Sequence, residues 1–95
     1  MLHIVSYDFP SSPAGDKRRA RLAKLLTGLG LRVQYSVFEL EIPSERIEEV
    51  CSQIRDRIDA HEDSVRIYPI CSACIERTER LGREAVIEHG PLLLW

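Results

Sequence analysis

Hydrophobic positions along this chain switch between two spacings, and the switches mark its elements. Leu2, Ile4 and Val5 put apolar groups on both parities of the segment ending at Asp8, the pattern of a strand buried on both faces. Pro10, Ser11, Ser12, Pro13 and Gly15 make 9–15 a loop. Asp16 then offers an N-cap. Leu22, Leu25, Leu26 and Leu29 recur at helical spacing, predicting a helix to about Thr27 that Gly28 and Gly30 stop. Residues 31–42, with Val33, Tyr35, Val37, Phe38 and Leu40, read as strand. That is long for one strand and leaves room for a tight reversal near Tyr35 and Ser36, although no Asn-Gly pair marks it. Pro43 at the first helical position, or Ser44 as N-cap, opens a second helix with Glu45, Glu48 and Glu49 near its positive end. Its apolar stripe is Ile47, Val50, Cys51, Ile54 and Ile58, ending near Ala60. Residues 64–70 make the next strand through Val65, Ile67, Tyr68 and Ile70. One or two helical turns over 72–81 broken by Gly82, a short strand over 85–88 and the apolar tail Leu92, Leu93, Leu94 and Trp95 follow.

The order β-α-β-β-α-β with a short extra C-terminal strand is the ferredoxin-like plan, an α+β fold on an antiparallel sheet. Ninety-five residues make a single domain, 1–95. Two helices cover one face of such a sheet. The other face and the tail carry enough apolar residues to need a partner, and a second copy of the chain is the simplest one, so a homodimer is expected.

Composition narrows the classes. With 44% hydrophobic and 29% charged residues the chain is an ordinary globular one. No run of about 18 apolar residues exists, so no membrane partner is expected. The start, Met1 to Ile4, enters a strand at once without the basic and long apolar regions of a secretion signal, and the expected location is cytoplasmic. Three cysteines, Cys51, Cys71 and Cys74, cannot all pair and fit a reducing compartment. The net charge of −2 argues against a protein coated in nucleic acid, but the distribution is uneven. Lys17, Arg18, Arg19 and Arg21 crowd the first helix, whereas acids gather around Glu39 to Glu49 and Asp56 to Asp63. Arg presents a planar fork suited to phosphate.

Asp8 closes the first strand ahead of an uncharged loop. It reads either as a ligand for a hard divalent cation or as a loop cap accepting backbone N–H groups. One carboxylate makes a poor metal site, but near a two-fold axis it occurs twice. Cations at a helix start oppose its dipole, at about 0.3–1 kcal/mol each, so the basic run is a local anomaly. Lys17, Arg21 and Lys24 form an outward ridge, while Arg18 falls inside the leucine sector and should project over the core's edge toward the strand ends and Asp8. Arg18 and Arg19 are the preferred phosphate ligands, with Arg21 next. Arg32, Gln34, Ser36 and Phe38 share one face if their segment stays straight, either lining a cleft or facing solvent. The pair Cys71 and Cys74 has zinc-like spacing, but Cys51, His3, His61 and His89 supply no second ligand pair, which favours structural thiols. No nucleophilic triad or glycine-rich phosphate loop is present.

Four segments together resemble the CRISPR-associated Cas2 family. They are Val5-Ser6-Tyr7-Asp8, Lys17-Arg18-Arg19, the block from Gly30 to Glu39, and Val65-Arg66-Ile67-Tyr68-Pro69, in the family's order over nearly the whole chain. The Cys71 to Gly82 segment also occurs in some members. The resemblance implies a homodimer whose last strands, here within 83–95, exchange across the interface. It implies paired Asp8 carboxylates binding Mg²⁺, with Mn²⁺ an alternative, and a metal-dependent endonuclease acting on single-stranded RNA or double-stranded DNA with Asp8 as the catalytic residue. It implies a partnership with Cas1 integrase dimers and protospacer DNA in spacer acquisition, an antiviral function. Against that stand two alternatives on the same fold, a non-catalytic DNA scaffold and a toxin-like endoribonuclease. By motif position Arg18, Arg19, Arg21 and Arg32 carry over as nucleic-acid ligands, with Tyr7 and Phe38 supporting. The loop 9–15, interrupted by two prolines where relatives have short acidic loops, carries over no second acidic ligand.

Overall fold

The structure, a computed structural model, describes residues 1–82. Strand β1 (Leu2–Asp8) leads into helix α1 (Pro13–Leu29), then β2 (Leu31–Gln34) and β3 (Val37–Glu41). A 3-10 turn (Ser44–Arg46) runs into α2 (Ile47–Arg55), followed by β4 (Ser64–Ile70) and a short α3 (Ser72–Glu76). All strand pairs are antiparallel in the order β2-β3-β1-β4, the ferredoxin-like arrangement expected. The expected last strand, the tail and their exchange lie outside the described residues.

Alternation along β1 sorts side chains to two faces. Val5 and Tyr7 face the helices, joining Phe9, Phe38, Leu40, Leu22, Leu26, Val50 and Ile54 in the core. Phe38, Leu22, Leu26, Leu40 and Val5 are fully buried, each stabilising the fold by about 1.5–3 kcal/mol through burial. The predicted stripes supplied this packing, with Leu25, Leu29, Ile47 and Ile58 at its margin. The opposite face carries Ile4 between Glu39 and Tyr68, and Ser6 between Val37 and Arg66.

Four boundaries differ from the sequence reading. Helix α1 starts at Pro13 rather than after Asp16: proline's fixed φ suits the first helical position, and the Ser12 hydroxyl accepts the Gly15 N–H at 3.0 Å. The arginines therefore sit a turn inside the helix, where the dipole opposes them less. Second, Pro43 stands just ahead of the 3-10 turn and Ser44 inside it, so neither begins α2. Third, α2 ends at Arg55, five residues short of Ala60, because Asp59 Oδ1 accepts the His61 and Glu62 N–H groups and folds the chain into turns instead. Finally, α3 stops at Glu76, and Gly82 takes a left-handed φ of 85°.

The long predicted strand breaks at Tyr35 and Ser36. Gln34 pairs with Val37, and Val33 is an extra residue between the Arg32 and Gln34 pairings. No described non-glycine residue takes a positive φ, so this two-residue turn is not the mirror-image type that matches strand twist; the bulge absorbs the mismatch. The reversal makes Arg32 and Phe38 cross-strand partners, and the straight face shared by Arg32, Gln34, Ser36 and Phe38 does not exist.

Candidate nucleic-acid interface

One end of the sheet gathers most of the candidate residues. The C-terminal end of β1, the β2–β3 turn and the start of β4 meet there, with Tyr7 N–H donating to the Ser36 carbonyl at 3.2 Å and Asp8 opposite Ser64. Since neighbours on a strand point to opposite faces, Tyr7 and Asp8 open two different surfaces at this end.

On the helix-covered side lies a cluster of aromatic and cationic groups. Tyr7 stacks near Phe38 with ring centroids 6.3 Å apart, and its edge meets Phe9 at 5.6 Å. The Tyr7 hydroxyl donates to the Tyr35 carbonyl at 3.2 Å, which fixes the hairpin turn to β1. Cross-strand pairing lays the Arg32 guanidinium over the Phe38 ring at 5.1 Å, and the same group lies 5.6 Å from the Tyr35 ring. Arg19 approaches Tyr35 from α1, 5.8 Å from the ring centroid, while pairing with Asp16 at 3.0 Å. Asp16 and Tyr35 both favour the charged form of Arg19 and raise its pKa, Asp16 the more strongly.

Arg18 and Arg21 are not in this cluster. Arg18 did reach the strand ends, but it found Asp63 rather than Asp8. Nε donates to Asp63 Oδ2 at 2.7 Å and Nη2 to Oδ1 at 3.0 Å, a bidentate pair. The Asp63 side chain is 0% exposed, and its second anchor is the Asp59 N–H at 2.7 Å. The Arg18 hydrogen bond, aided by that N–H, holds the Asp63 carboxyl below its ordinary pKa. Arg21 is exposed on the other flank of the leucine stripe from Arg19, as its position on the helix dictates.

On the open side, exposed Asp8 borders a shallow depression of about 270 Å³ lined by Ser6, Tyr7, Asp8, Ser64, Arg66 and Tyr68. The Arg66 guanidinium lies 3.5 Å from the Tyr68 hydroxyl. One carboxylate and a few hydroxyls beside an arginine are too few donors to hold a hard cation within one chain. Among the described residues no group of three or more His, Cys, Asp or Glu side chains could bind a metal. Two Asp8 carboxylates from two copies, around a cation keeping its waters, would suit such an ion.

Tyr35, Asp63, Arg66 and Tyr68 were not among the residues the sequence singled out for the site. Register supplies the missing signal for Arg66, which pairs with Ser6 two positions from Asp8. For Tyr35 the signal was the over-long strand, since a reversal puts its tip residues in solvent. The described residues include no helix long and apolar enough to cross a membrane.

A family model described as CRISPR associated protein Cas2 matches residues 1–78. The CRISPR-associated endoribonuclease Cas2 3 of Synechocystis sp. is 36% identical over 81 residues, covering 85% of this chain and 84% of that protein. A crystal structure of Streptococcus pyogenes Cas2 superposes with a TM-score of 0.77 at 36% identity, covering 86% of this chain and 100% of that one. A chain of a partial Cas6-RT-Cas1–Cas2 complex gives a TM-score of 0.66 at 29% identity, covering 85% of each.

Proposed function

The chain belongs to the CRISPR-associated Cas2 family, and from that premise we propose that it acts in CRISPR spacer acquisition as a nucleic-acid-binding homodimer that joins Cas1 and cleaves phosphodiesters with Asp8. The observation that carries this reading is the pairing of two surfaces at one sheet end: Arg19 and Arg32 around Tyr35 on one, exposed Asp8 beside Arg66 on the other. Guanidinium groups grip backbone phosphate, and a free carboxylate beside them suits either a metal or a proton transfer. The names of relatives, an endoribonuclease and a member of a Cas1-containing complex, point the same way.

Dimerisation is supported by unsatisfied surface. β4 is an edge strand among the described residues. Beside it runs a groove of about 260 Å³ lined by Cys51, Ile54, Arg55, Ile58, Val65 and Ile67. A second copy of the chain pairing along this edge would cover both. Mg²⁺ or Mn²⁺ would be held by two Asp8 carboxylates; when bound, such an ion supplies charge stabilisation and an activated water. Arg19 and Arg32 would orient the strand, and Arg66 would stand by to neutralise the phosphate.

Purified protein should sediment as a dimer and cleave RNA or duplex DNA only with added Mg²⁺ or Mn²⁺, and EDTA should stop cleavage. Asp8→Asn should reduce cleavage at least about 100-fold while leaving binding and stability unchanged, since the side chain is exposed. A wild-type dimer that binds but never cleaves, across pH and metals, would instead make it a non-catalytic scaffold. The single carboxylate in each depression is the observation that favours that second reading.

A further inference from the structure

Tyr35 is 68% exposed at the tip of a hairpin, where a tyrosine is ordinarily free to swing. Here three elements restrain it. Its carbonyl accepts the Tyr7 hydroxyl, Arg19 flanks its ring from α1, and Arg32 flanks it from β2 while resting on buried Phe38. An exposed aromatic ring held between two cations is the combination by which proteins hold single strands: the ring stacks on a base while the cations take the flanking phosphates. A continuous duplex hides its base faces within its own stack and gives the ring no partner. The guanidinium carbons lie over the ring, 5.8 and 5.6 Å from its centroid, so an incoming base stacks by displacing one of them, whose charge then meets the base's own phosphate. Asp16 pairs with Arg19 at the surface, an exposed contact a phosphate can replace at little cost.

We propose that Tyr35 is a stacking platform for an unpaired nucleobase, with Arg19 and Arg32 holding the phosphates on either side of it. This deepens the nucleic-acid reading above and rests on it. The protein would then hold single-stranded RNA or DNA, or an unpaired segment of a longer molecule, through a contact that paired bases cannot make.

Anisotropy titrations with a labelled single-stranded RNA, a single-stranded DNA of the same sequence and a blunt DNA duplex test it. Tyr35→Ala should weaken binding of both single strands about tenfold and leave the duplex within about twofold. Tyr35→Phe, which keeps the ring, should bind all three like wild type. A Tyr35→Ala variant indistinguishable from wild type on single strands overturns the proposal. So does an equal loss on duplex and single strands, which would mean that Tyr35 merely positions the arginines. A loss confined to RNA would assign the contact to the 2′-hydroxyl and also overturns stacking. If wild-type protein binds none of the three, the nucleic-acid reading itself fails; if it binds the duplex and Tyr35→Ala changes nothing, only the stacking assignment does.

Discussion

Arg18 and Arg19 are neighbours in sequence and opposites in circumstance. A step of about 100° around α1 sends Arg18 over the core edge to Asp63 and Arg19 outward to Tyr35. Exposure barely separates them, with the Arg19 side chain 27% exposed and that of Arg18 20%, but Arg18 donates two hydrogen bonds to an Asp63 side chain shut off from solvent. The Arg18 fork is filled from within the fold. Arg19 shares its charge with an exposed aspartate and an exposed ring, and both can yield to a ligand. Two residues of one type, in one basic run, thus divide between holding the molecule together and facing what it binds. Charge clustering along a helix says little about which arginine does which; the partner at the end of each side chain decides.

The strongest way to break this contrast is through Asp63. Asp63→Ala takes the bidentate partner from a half-buried guanidinium and leaves it only the weaker pull of Asp59 and Glu62, so the protein should lose stability. The melting midpoint should then fall by at least about 4 °C. The pH dependence follows from the lowered Asp63 pKa. A carboxyl whose folded pKa is depressed contributes stability above its ordinary titration range and loses that contribution as pH falls through the folded value. Wild-type stability in urea melts should hold above about pH 5 and decline below it, and Asp63→Asn should remove part of that decline. Arg18→Met should lose stability while keeping affinity for nucleic acid. An Arg18→Met protein that is stable but does not bind would reverse the roles given to the two arginines.

From the other side, Arg19→Glu combined with Arg32→Glu should lower the melting midpoint through the lost contacts to Asp16, Tyr7 and Phe38, yet keep the protein folded, and weaken nucleic-acid binding at least about tenfold. The plot of log affinity against log salt should become shallower by roughly 0.9 for each duplex phosphate that the protein no longer neutralises. Unchanged slopes would mean that these guanidinium groups touch no phosphate.

The sequence carried the strands and the two helical stripes because apolar periodicity is written locally, residue by residue. Phe38 and Tyr7 were readable as neighbours of function but not as the buried stack they form. What escaped depends on contacts between distant segments. Asp63 lies 45 positions from Arg18, and nothing in its own neighbourhood distinguishes it from Asp56 or Asp59. Arg66 gains meaning only from its register with Ser6. The reversal at Tyr35 and Ser36 was legible only from the length of the strand, because a bulge at Val33 replaces the glycine-rich turn that usually announces a hairpin. The misplaced start of α1 had a local cause: Asp16 is a good cap residue, but Ser12 ahead of Pro13 is a better pair.

That start offers the smallest and most selective test. The Ser12 hydroxyl accepts the Gly15 N–H at 3.0 Å, and Gly15 is packed too closely against the Pro10 carbonyl to admit a side chain. Ser12→Ala should therefore cost about 1 kcal/mol of stability, read in urea melts. The turn it loosens carries Asp16, the partner of Arg19, and stops two residues before Arg18, which Asp63 holds from outside the helix. The acid dependence of stability should keep its wild-type slope, while the midpoint shifts uniformly. A change in that slope would show that the cap and the buried pair act as one unit, and that the neighbouring arginines are less independent than their partners imply.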